Sequence, residues 1–130
     1  MHLCNLPAAA AAKLPFSQAV RLGDVLYLSG ALGNVPGTRN VVPGGIEAET
    51  KQTMENIGAV LKRQRTLLRR RVQMHGGTRR HRAMGDLQLN KVYVTYFKPG
   101  LLRARSAFGA NGLALGPQVE LECLAYAGKK

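Results

Sequence analysis

The stretch QVELECLAY, residues 118–126, has the alternation of a β-strand with one buried face. Successive side chains of a strand point to opposite faces of its sheet. The apolar side chains of this stretch share one face: Val119, Leu121 and Cys123. The other face carries the carboxylates of Glu120 and Glu122. The alternation therefore predicts a strand that covers a core on one side and presents two acidic groups on the other.

Two other parts of the chain also predict strands. Residues 16–30, FSQAVRLGDVLYLSG, place the turn dipeptide Gly23-Asp24 between runs that are rich in valine, leucine and tyrosine. This pattern is typical of a β-hairpin. The stretch ARSAF, residues 104–108, predicts a further strand shortly before residues 118–126.

Two segments predict amphipathic helices. The first begins near Ile46, has two glutamates in its first turn, and places its apolar side chains on one face: Met54, Ile57 and Leu61. The second begins near Asp86, a favourable N-cap, and ends at residues 98–100, Lys-Pro-Gly. Its apolar stripe predicts a core face: Leu89, Val92, Tyr93, Tyr96 and Phe97. The order of elements predicts an α+β domain with two helices packed on one face of a sheet.

The composition restricts the class of protein. A chain of 130 residues is long enough for one domain with a single core. Cys4 and Cys123 are too few and too far apart to indicate a disulfide framework or a zinc site, so we expect no metal. The first residues lack the pattern of a secretory signal, and no apolar run has the length of a membrane span. We therefore expect a cytoplasmic protein without a membrane partner, with a mitochondrial location as the alternative.

Six motifs stand in this chain in a characteristic order: LPFSQAV, LYLSGALG, GG-x-E-A-E-T-x-Q-x-M-x-N-I-x-x-x-L, N-K-V-Y-x-x-Y-F, ARSAFG and VELEC. Their order and spacing, over residues 14–62 and 86–126, resemble the RidA/YjgF family, also called the L-PSP family. The resemblance implies one domain over residues 1–130, with a chorismate-mutase-like mixed sheet and residues 1–13 as an N-terminal extension. It also implies a homotrimer with sites between subunits, which hydrolyse reactive 2-imino acids to 2-keto acids and ammonia without a metal or an organic cofactor.

The same resemblance implies a set of site residues. Arg105 matches the family's arginine, which binds the substrate carboxylate. A planar guanidinium suits this role because it can donate two charge-assisted hydrogen bonds to a carboxylate. Glu120 matches the carboxylate that directs the attacking water as a general base. Gly30 matches a glycine whose backbone approaches the ligand, and Asn90 matches an asparagine that lines the cleft. The plain alternatives are a solvated arginine, a solvent-facing strand carboxylate and a capping asparagine.

Three residues depart from the family pattern. Phe16 stands where the family usually has a tyrosine, so the phenolic hydroxyl that could hold water or substrate is gone. Ala107 stands where many imine-deaminating members have a cysteine, and Arg103 replaces a proline. We expect Phe16 and Ala107 to line the substrate site and to alter its substrate range without excluding the reaction.

Residues 69–84, RRRVQMHGGTRRHRAM, carry an unusual charge. The chain has 19 lysines and arginines against 7 acidic residues, a net charge of +12. Eight of the arginines and no acid lie between residues 63 and 82, which leaves 11 basic and 7 acidic residues elsewhere. Such a segment can contact phosphates, but it lacks the interleaved aromatic side chains that stack on single-stranded bases. A nucleic-acid arm and a solvated basic loop are two interpretations of residues 63–85.

A third interpretation is an out-of-frame reading. The family has a central strand between its two helices, and the sequence shows no such strand here. Residues 73–82 can be encoded CAA ATG CAC GGT GGC ACT CGC CGA CAT CGG, and removal of the first base yields Lys-Cys-Thr-Val-Ala-Leu-Ala-Asp-Ile. This nine-residue sequence resembles the central strand of the family, so we favour a shifted reading frame over residues 63–85. We then expect a weakened or incomplete sheet and poor trimer formation, although Val72 and Met74 alternate with polar neighbours and could form a short substitute strand.

The sequence therefore predicts an imine/enamine deaminase, a hydrolase acting on C=N bonds, whose partner is a small 2-imino acid. Two other functions stay open. One is an RNA-binding or ribonuclease-type member of the family that uses the basic segment. The other is a non-catalytic protein that binds a small carboxylate in the cleft between subunits.

Overall fold

The computed structural model of the chain describes residues 1–66, 71–79 and 83–128. Seven strands are present in these residues: β1 His2–Cys4, β2 Ala19–Leu22, β3 Val25–Leu28, β4 Ala31–Leu32, β5 Arg71–Thr78, β6 Ala104–Gly109 and β7 Val119–Tyr126. The helices of the same residues are α1 Pro7–Ala11, α2 Gly45–Arg63 and α3 Ala83–Tyr93, which is followed by a 3-10 helix over Val94–Tyr96. Of the basic segment, residues 67–70 and 80–82 lie outside the described residues.

The strands form one mixed sheet in the order β1-β2-β3-β7-β5-β6, and the short β4 pairs with β7 beyond the end of β3. β5 and β6 are parallel, and the other paired strands are antiparallel. A parallel pair requires a crossover connection, and α3 lies in it. Helix α2 packs against both α3 and β7. This arrangement confirms the predicted α+β class, with two long helices on one face of a mixed sheet.

The core lies between the sheet and the two long helices. Helix α2 buries the predicted face: Met54, Ile57 and Leu61. Strand β7 also alternates as predicted, because its odd-numbered residues from 119 to 125 are buried and its two glutamates are not. Burial of one large apolar side chain contributes roughly 1.5–3 kcal/mol. The apolar face of β7 therefore determines which way Glu120 and Glu122 point.

The predicted hairpin is confirmed, and the start of the second helix is not. β2 and β3 pair across Gly23, whose φ of 57° lies in the left-handed region that glycine adopts without strain. Helix α3 begins at Ala83, so the prediction that it starts near Asp86 is wrong, and Asp86 lies within the helix. Aspartate is favoured in the first helical turn as well as at the N-cap, so its presence does not fix the starting residue.

The central strand that we expected to be missing is present. Residues Arg71–Thr78 form β5, which pairs with β6 on one side and with β7 on the other. Backbone groups complete such a ladder whatever the side chains are, provided that no proline interrupts it. Met74 is fully buried, whereas Gly76 and Gly77 bring no side chain to the core. The sheet is therefore complete, and the weaker packing of this strand stays a prediction.

The N-terminal extension contributes to the sheet. β1 pairs with β2, and Cys4 is buried in the core. The side chain of Gln18 accepts a hydrogen bond from the backbone of Leu6 at 2.7 Å, and Asn5 accepts one from the backbone of Gln18 at 2.8 Å. A three-residue edge strand is too short to show a periodic pattern in the sequence. No helix in residues 1–66, 71–79 and 83–128 is both long and apolar enough to cross a membrane.

Candidate functional site

Gly30 and Glu120 form the first part of the predicted site. Gly30 lies between β3 and β4, which both pair with β7. A Cβ atom at Gly30 would overlap the Oε1 of Glu120, so the absence of a side chain at Gly30 allows the carboxylate to take this position. Burial raises the pKa of Glu120 above its usual 4.5, and the nearby charge of Glu122 raises it further. A carboxylate with a raised pKa is a stronger base, which suits a general base at neutral pH.

Phe16 lies at the same end of the sheet as Gly30. The hydroxyl of Ser29 donates a hydrogen bond to the carbonyl of Ser17 at 2.7 Å, and the Ser29 amide donates one to the carbonyl of Gln18 at 3.0 Å. These bonds hold the segment that contains Phe16 beside the segment that contains Gly30. The Phe16 side chain is 53% exposed, so it is not a core residue of this chain.

Arg105, Asn90 and Tyr93 form the second part of the predicted site. The Nη1 of Arg105 donates a hydrogen bond to the Oδ1 of Asn90 at 2.7 Å, and the guanidinium carbon lies 4.9 Å from the ring centre of Tyr93. A guanidinium over an aromatic face is stabilised by cation–π attraction. Asn90 and Tyr93 both belong to α3, so one helix holds the arginine from two directions. Ala107 lies two residues farther along β6 and therefore shares the face of Arg105.

The two parts of the site lie on opposite faces of the sheet. Met74 of β5 is paired with Arg105 and is fully buried in the core beneath the helices. Gly77 of the same strand is paired with Glu120. Paired residues of neighbouring strands share a face, and residues an odd number apart on one strand point to opposite faces. One chain therefore brings Gly30 to Glu120 and Asn90 to Arg105, but it does not bring Arg105 to Glu120.

His75 lies beside Glu120 and was not predicted as a site residue. Its Nδ1 is 2.9 Å from the Oε1 of Glu122. A cavity of about 170 Å³ contains these three side chains and is completed by four other residues: Gly30, Gly77, Phe108 and Leu113. The imidazole itself was the available signal in the sequence. Its position opposite Glu122 depends on the register between β5 and β7, which the sequence does not show.

A larger cavity of about 1090 Å³ lies between α2 and the chain that follows α3. It includes none of the predicted site residues. Glu55, the acidic residue of its lining, accepts a hydrogen bond from the hydroxyl of Tyr96 at 2.7 Å. Within the described part of the chain, no three metal-ligating side chains are grouped so as to hold an ion. The smaller cavity is therefore the one that contains the predicted chemistry.

Proteins of known sequence are similar to this chain over most of its length. The 2-iminobutanoate/2-iminopropanoate deaminase of Mus musculus is 37% identical to this chain over 115 residues, which are 88% of this chain and 82% of the mouse protein. The protein of the same name from Capra hircus is 36% identical over 128 residues, which are 98% of this chain and 90% of the goat protein.

Solved structures and a family model agree with these similarities. The crystal structure of RidA from an Antarctic Psychrobacter has a TM-score of 0.85 and 29% identity, and the match covers 97% of this chain and 99% of that one. A Rid-family protein of unknown function from Yersinia pestis has a TM-score of 0.86 and 31% identity, over 96% and 98% of the two chains. The model of the family described as endoribonuclease L-PSP matches residues 6–127. The chain thus belongs to the endoribonuclease L-PSP family, the RidA/YjgF family that its motifs resemble.

Proposed function

We propose that this protein hydrolyses small 2-imino acids, and their enamine tautomers, to 2-keto acids and ammonia. One observation carries the proposal: Arg105, the arginine proposed to bind the substrate carboxylate, is held by Asn90, and Glu120, the proposed base, lies against the backbone of Gly30. The mouse and goat relatives are named for deamination of 2-iminobutanoate and 2-iminopropanoate, which supports the same reaction.

Each group has a defined task in this reaction. Arg105 binds the substrate carboxylate through two charge-assisted hydrogen bonds, each contributing about 1.5–3 kcal/mol. The backbone at Gly30 contacts the substrate, and Glu120 accepts a proton from the water whose oxygen attacks C2. The C=N bond becomes a single bond to an amino nitrogen. That nitrogen receives two protons, one from the attacking water through Glu120 and one from the new hydroxyl group as the C=O bond forms. It leaves as ammonia, so one water is consumed and one ammonia is released.

The reaction needs Arg105 and Glu120 at one substrate, so we propose that the site is completed between subunits of a homotrimer. Arg105 lies on β6, an edge strand that a second copy can approach. Apolar side chains exposed on the face of the sheet without helices support self-association: Leu3, Leu22, Tyr27 and Tyr126. Contiguous apolar surface of this kind is typical of protein interfaces.

Ammonia release from freshly generated 2-iminobutanoate or 2-iminopropanoate tests the proposal. We expect wild-type protein to exceed the uncatalysed rate, and Arg105→Ala to lower kcat/KM by about 100-fold or more, because two charged hydrogen bonds are lost. Arg39→Ala is the matched control, since Arg39 is an exposed arginine of the loop after β4. No release above the uncatalysed rate would refute the deaminase, and full activity of Arg105→Ala would refute its role.

RNA binding or cleavage is a second candidate function. The net charge of +12 and the description of the matching family model favour it. Salt-dependent retention of RNA by wild-type protein, lost when Arg63, Arg65 and Arg79 are replaced by alanine, would support it. Retention of RNA without ammonia release would replace the deaminase proposal. Binding of a 2-keto acid without ammonia release or RNA retention would indicate a non-catalytic carboxylate-binding protein.

A further inference from the structure

His75 and Glu122 form a close side-chain pair directly beside Glu120, with 2.9 Å between Nδ1 and Oε1. His75 is opposite Glu122 in the β5–β7 ladder, and Gly77 is opposite Glu120. Glu120 and Glu122 are two residues apart on β7, so they share a face at a spacing of about 6.6 Å along the strand. The imidazole is diagonal to Glu120 on the same face, within the range over which cross-strand side chains interact.

The other walls of this cavity carry no charge. Gly30 comes from the chain between β3 and β4, Phe108 from β6, and Leu113 from the loop that follows β6. On β6, the residue paired with His75 is Ser106, which does not titrate in this range. The titratable groups of the described cavity lining are therefore Glu120, Glu122 and His75.

We propose that His75 is a positioning residue for Glu120, because its imidazolium cancels the charge of Glu122 and leaves Glu120 as the one uncompensated carboxylate of the cavity. The inference rests on the proposed function only in that Glu120 is the base. What the inference states is an electrostatic interaction of His75 and Glu122 with Glu120, and this interaction does not depend on whether the protein is a deaminase.

The electrostatic reason is the mutual repulsion of two carboxylates. A like charge favours the protonated form of a carboxyl group, and the charge of Glu122 contributes to the raised pKa of Glu120. Histidine side chains are generally protonated at the acidic pH at which carboxyl groups titrate. The Nδ1 of His75 lies 2.9 Å from the Oε1 of Glu122, so when the imidazole carries a proton on both nitrogens the pair has no net charge and repels Glu120 less.

A cycle of three variants separates this electrostatic role from a structural one. His75→Asn keeps a donor near the position of Nδ1 but removes the positive charge, so the pair becomes net negative. Glu122→Gln keeps an acceptor but removes the negative charge, so the pair becomes net positive. The double variant, His75→Asn with Glu122→Gln, has no net charge, as in the wild type. A merely structural role would not order the four proteins by charge.

Two readouts on the full chain follow the cycle. The first is a carbon-13 NMR titration of the Glu120 carboxyl, assigned with Glu120→Gln. The second is the acid limb of the pH dependence of kcat/KM for ammonia release. We expect His75→Asn to shift both titrations to higher pH, Glu122→Gln to shift both to lower pH, and the double variant to return close to the wild type. On the acid limb, each single shift changes kcat/KM by about threefold, the effect of one unit charge at this spacing in water.

The outcomes distinguish this inference from the proposed function. Ordered NMR shifts without ammonia release by any protein would support the role of His75 and refute the deaminase. Ammonia release with a Glu120 titration that is the same in all four proteins would support the deaminase and overturn the role of His75. Shifts of the same sign in both single variants would also overturn it, because opposite changes of charge must act in opposite directions.

Discussion

Arg105 and Glu120 point to opposite faces of one sheet. The register fixes this relationship, because Arg105 is paired with the buried Met74 and Glu120 is paired with Gly77. A substrate with one carboxylate and one electrophilic carbon, three or four atoms long, cannot reach both side chains through the sheet. The proposed reaction therefore requires that one copy of the chain supplies the arginine and another supplies the glutamate.

Asn90 is expected to act through Arg105. Replacing Asn90 by alanine removes the 2.7 Å hydrogen bond that orients the guanidinium, so we expect kcat/KM to fall about five- to tenfold, the worth of one such bond. The fall should appear mainly in KM, because the role proposed for Arg105 is to bind the carboxylate of the ground-state substrate. In an Arg105→Ala background the same substitution should have little further effect, since residues that act as a unit are not additive. Equal effects in both backgrounds would show that Asn90 acts independently of Arg105.

Glu120 is expected to lower stability at neutral pH. Its pKa is raised in the folded protein, first by burial and then by Glu122, so the folded state binds this proton more tightly than the unfolded chain does. Stability then falls as pH rises from the ordinary glutamate value through the folded-state pKa, and this loss is absent at lower pH. Glu120→Gln should therefore melt at a higher temperature than wild type at about pH 7 and at the same temperature at about pH 3.

Thermal melting at both pH values, together with ammonia release, tests this trade-off between stability and activity. Glu47→Gln is the contrasting control, because the Glu47 carboxylate, in the first turn of α2, pairs with Lys91, so its loss should lower rather than raise the melting temperature at about pH 7. A Glu120→Gln protein that is less stable than wild type at neutral pH would show that the carboxylate is held by favourable contacts rather than at a cost.

The register of β5 makes the shifted-frame hypothesis testable. Positions 74, 76 and 78 face the helices, as the burial of Met74 and Thr78 indicates. The shifted text places cysteine, valine and leucine at these three positions, the alternation that a half-buried strand requires. Replacing residues 73–81 by Lys-Cys-Thr-Val-Ala-Leu-Ala-Asp-Ile should therefore raise the free energy of unfolding by about 1–3 kcal/mol. Valine and leucine add apolar burial, but cysteine replaces the fully buried Met74, and a Cβ at position 76 lies 3.0 Å from the Cδ2 of Leu121, which must move slightly.

Chemical denaturation measures that gain, and the same nine residues moved by one position provide the control, because the shift turns the apolar set to the other face. No gain, or an equal gain in the control, would contradict the hypothesis. The replacement also places threonine opposite Glu122. By the role proposed for His75, its acid limb should then move in the direction expected for His75→Asn. Sequencing of the source locus decides the hypothesis itself.

Much of the fold follows from the alternation and helical periodicity of the chain. The hairpin of β2 and β3, helix α2 and the two faces of β7 each have enough residues to show their period. β1 and β4 are too short to show one, and their pairing depends on neighbours that are distant in sequence. The prediction that the central strand is missing is wrong for a physical reason. Gly76, Gly77 and several arginines are unfavourable in a strand, but the backbone of these residues still pairs with β6 on one side and β7 on the other. Location in the cytoplasm stays a prediction.

The motifs predict the candidate site residues as a set, but they do not predict that these residues lie on two different faces of the sheet. Motifs identify Gly30, Asn90, Arg105 and Glu120, yet the face of each residue depends on the register across β5, which the sequence does not show. His75 lines the cavity because it belongs to β5, the strand that the sequence did not predict. The raised pKa of Glu120 likewise depends on burial that only the folded chain creates.

Mixed trimers test the central claim most directly. Arg105→Ala and Glu120→Gln chains with different affinity tags are expressed together, purified through both tags, and assayed for ammonia release beside each variant alone. If each site takes its arginine and its glutamate from different subunits, the variants alone are inactive. Each doubly tagged mixed trimer then has one intact site in three, so the purified mixture recovers about a third of the wild-type activity. Doubly tagged protein with no more activity than either variant alone would contradict a site built between subunits.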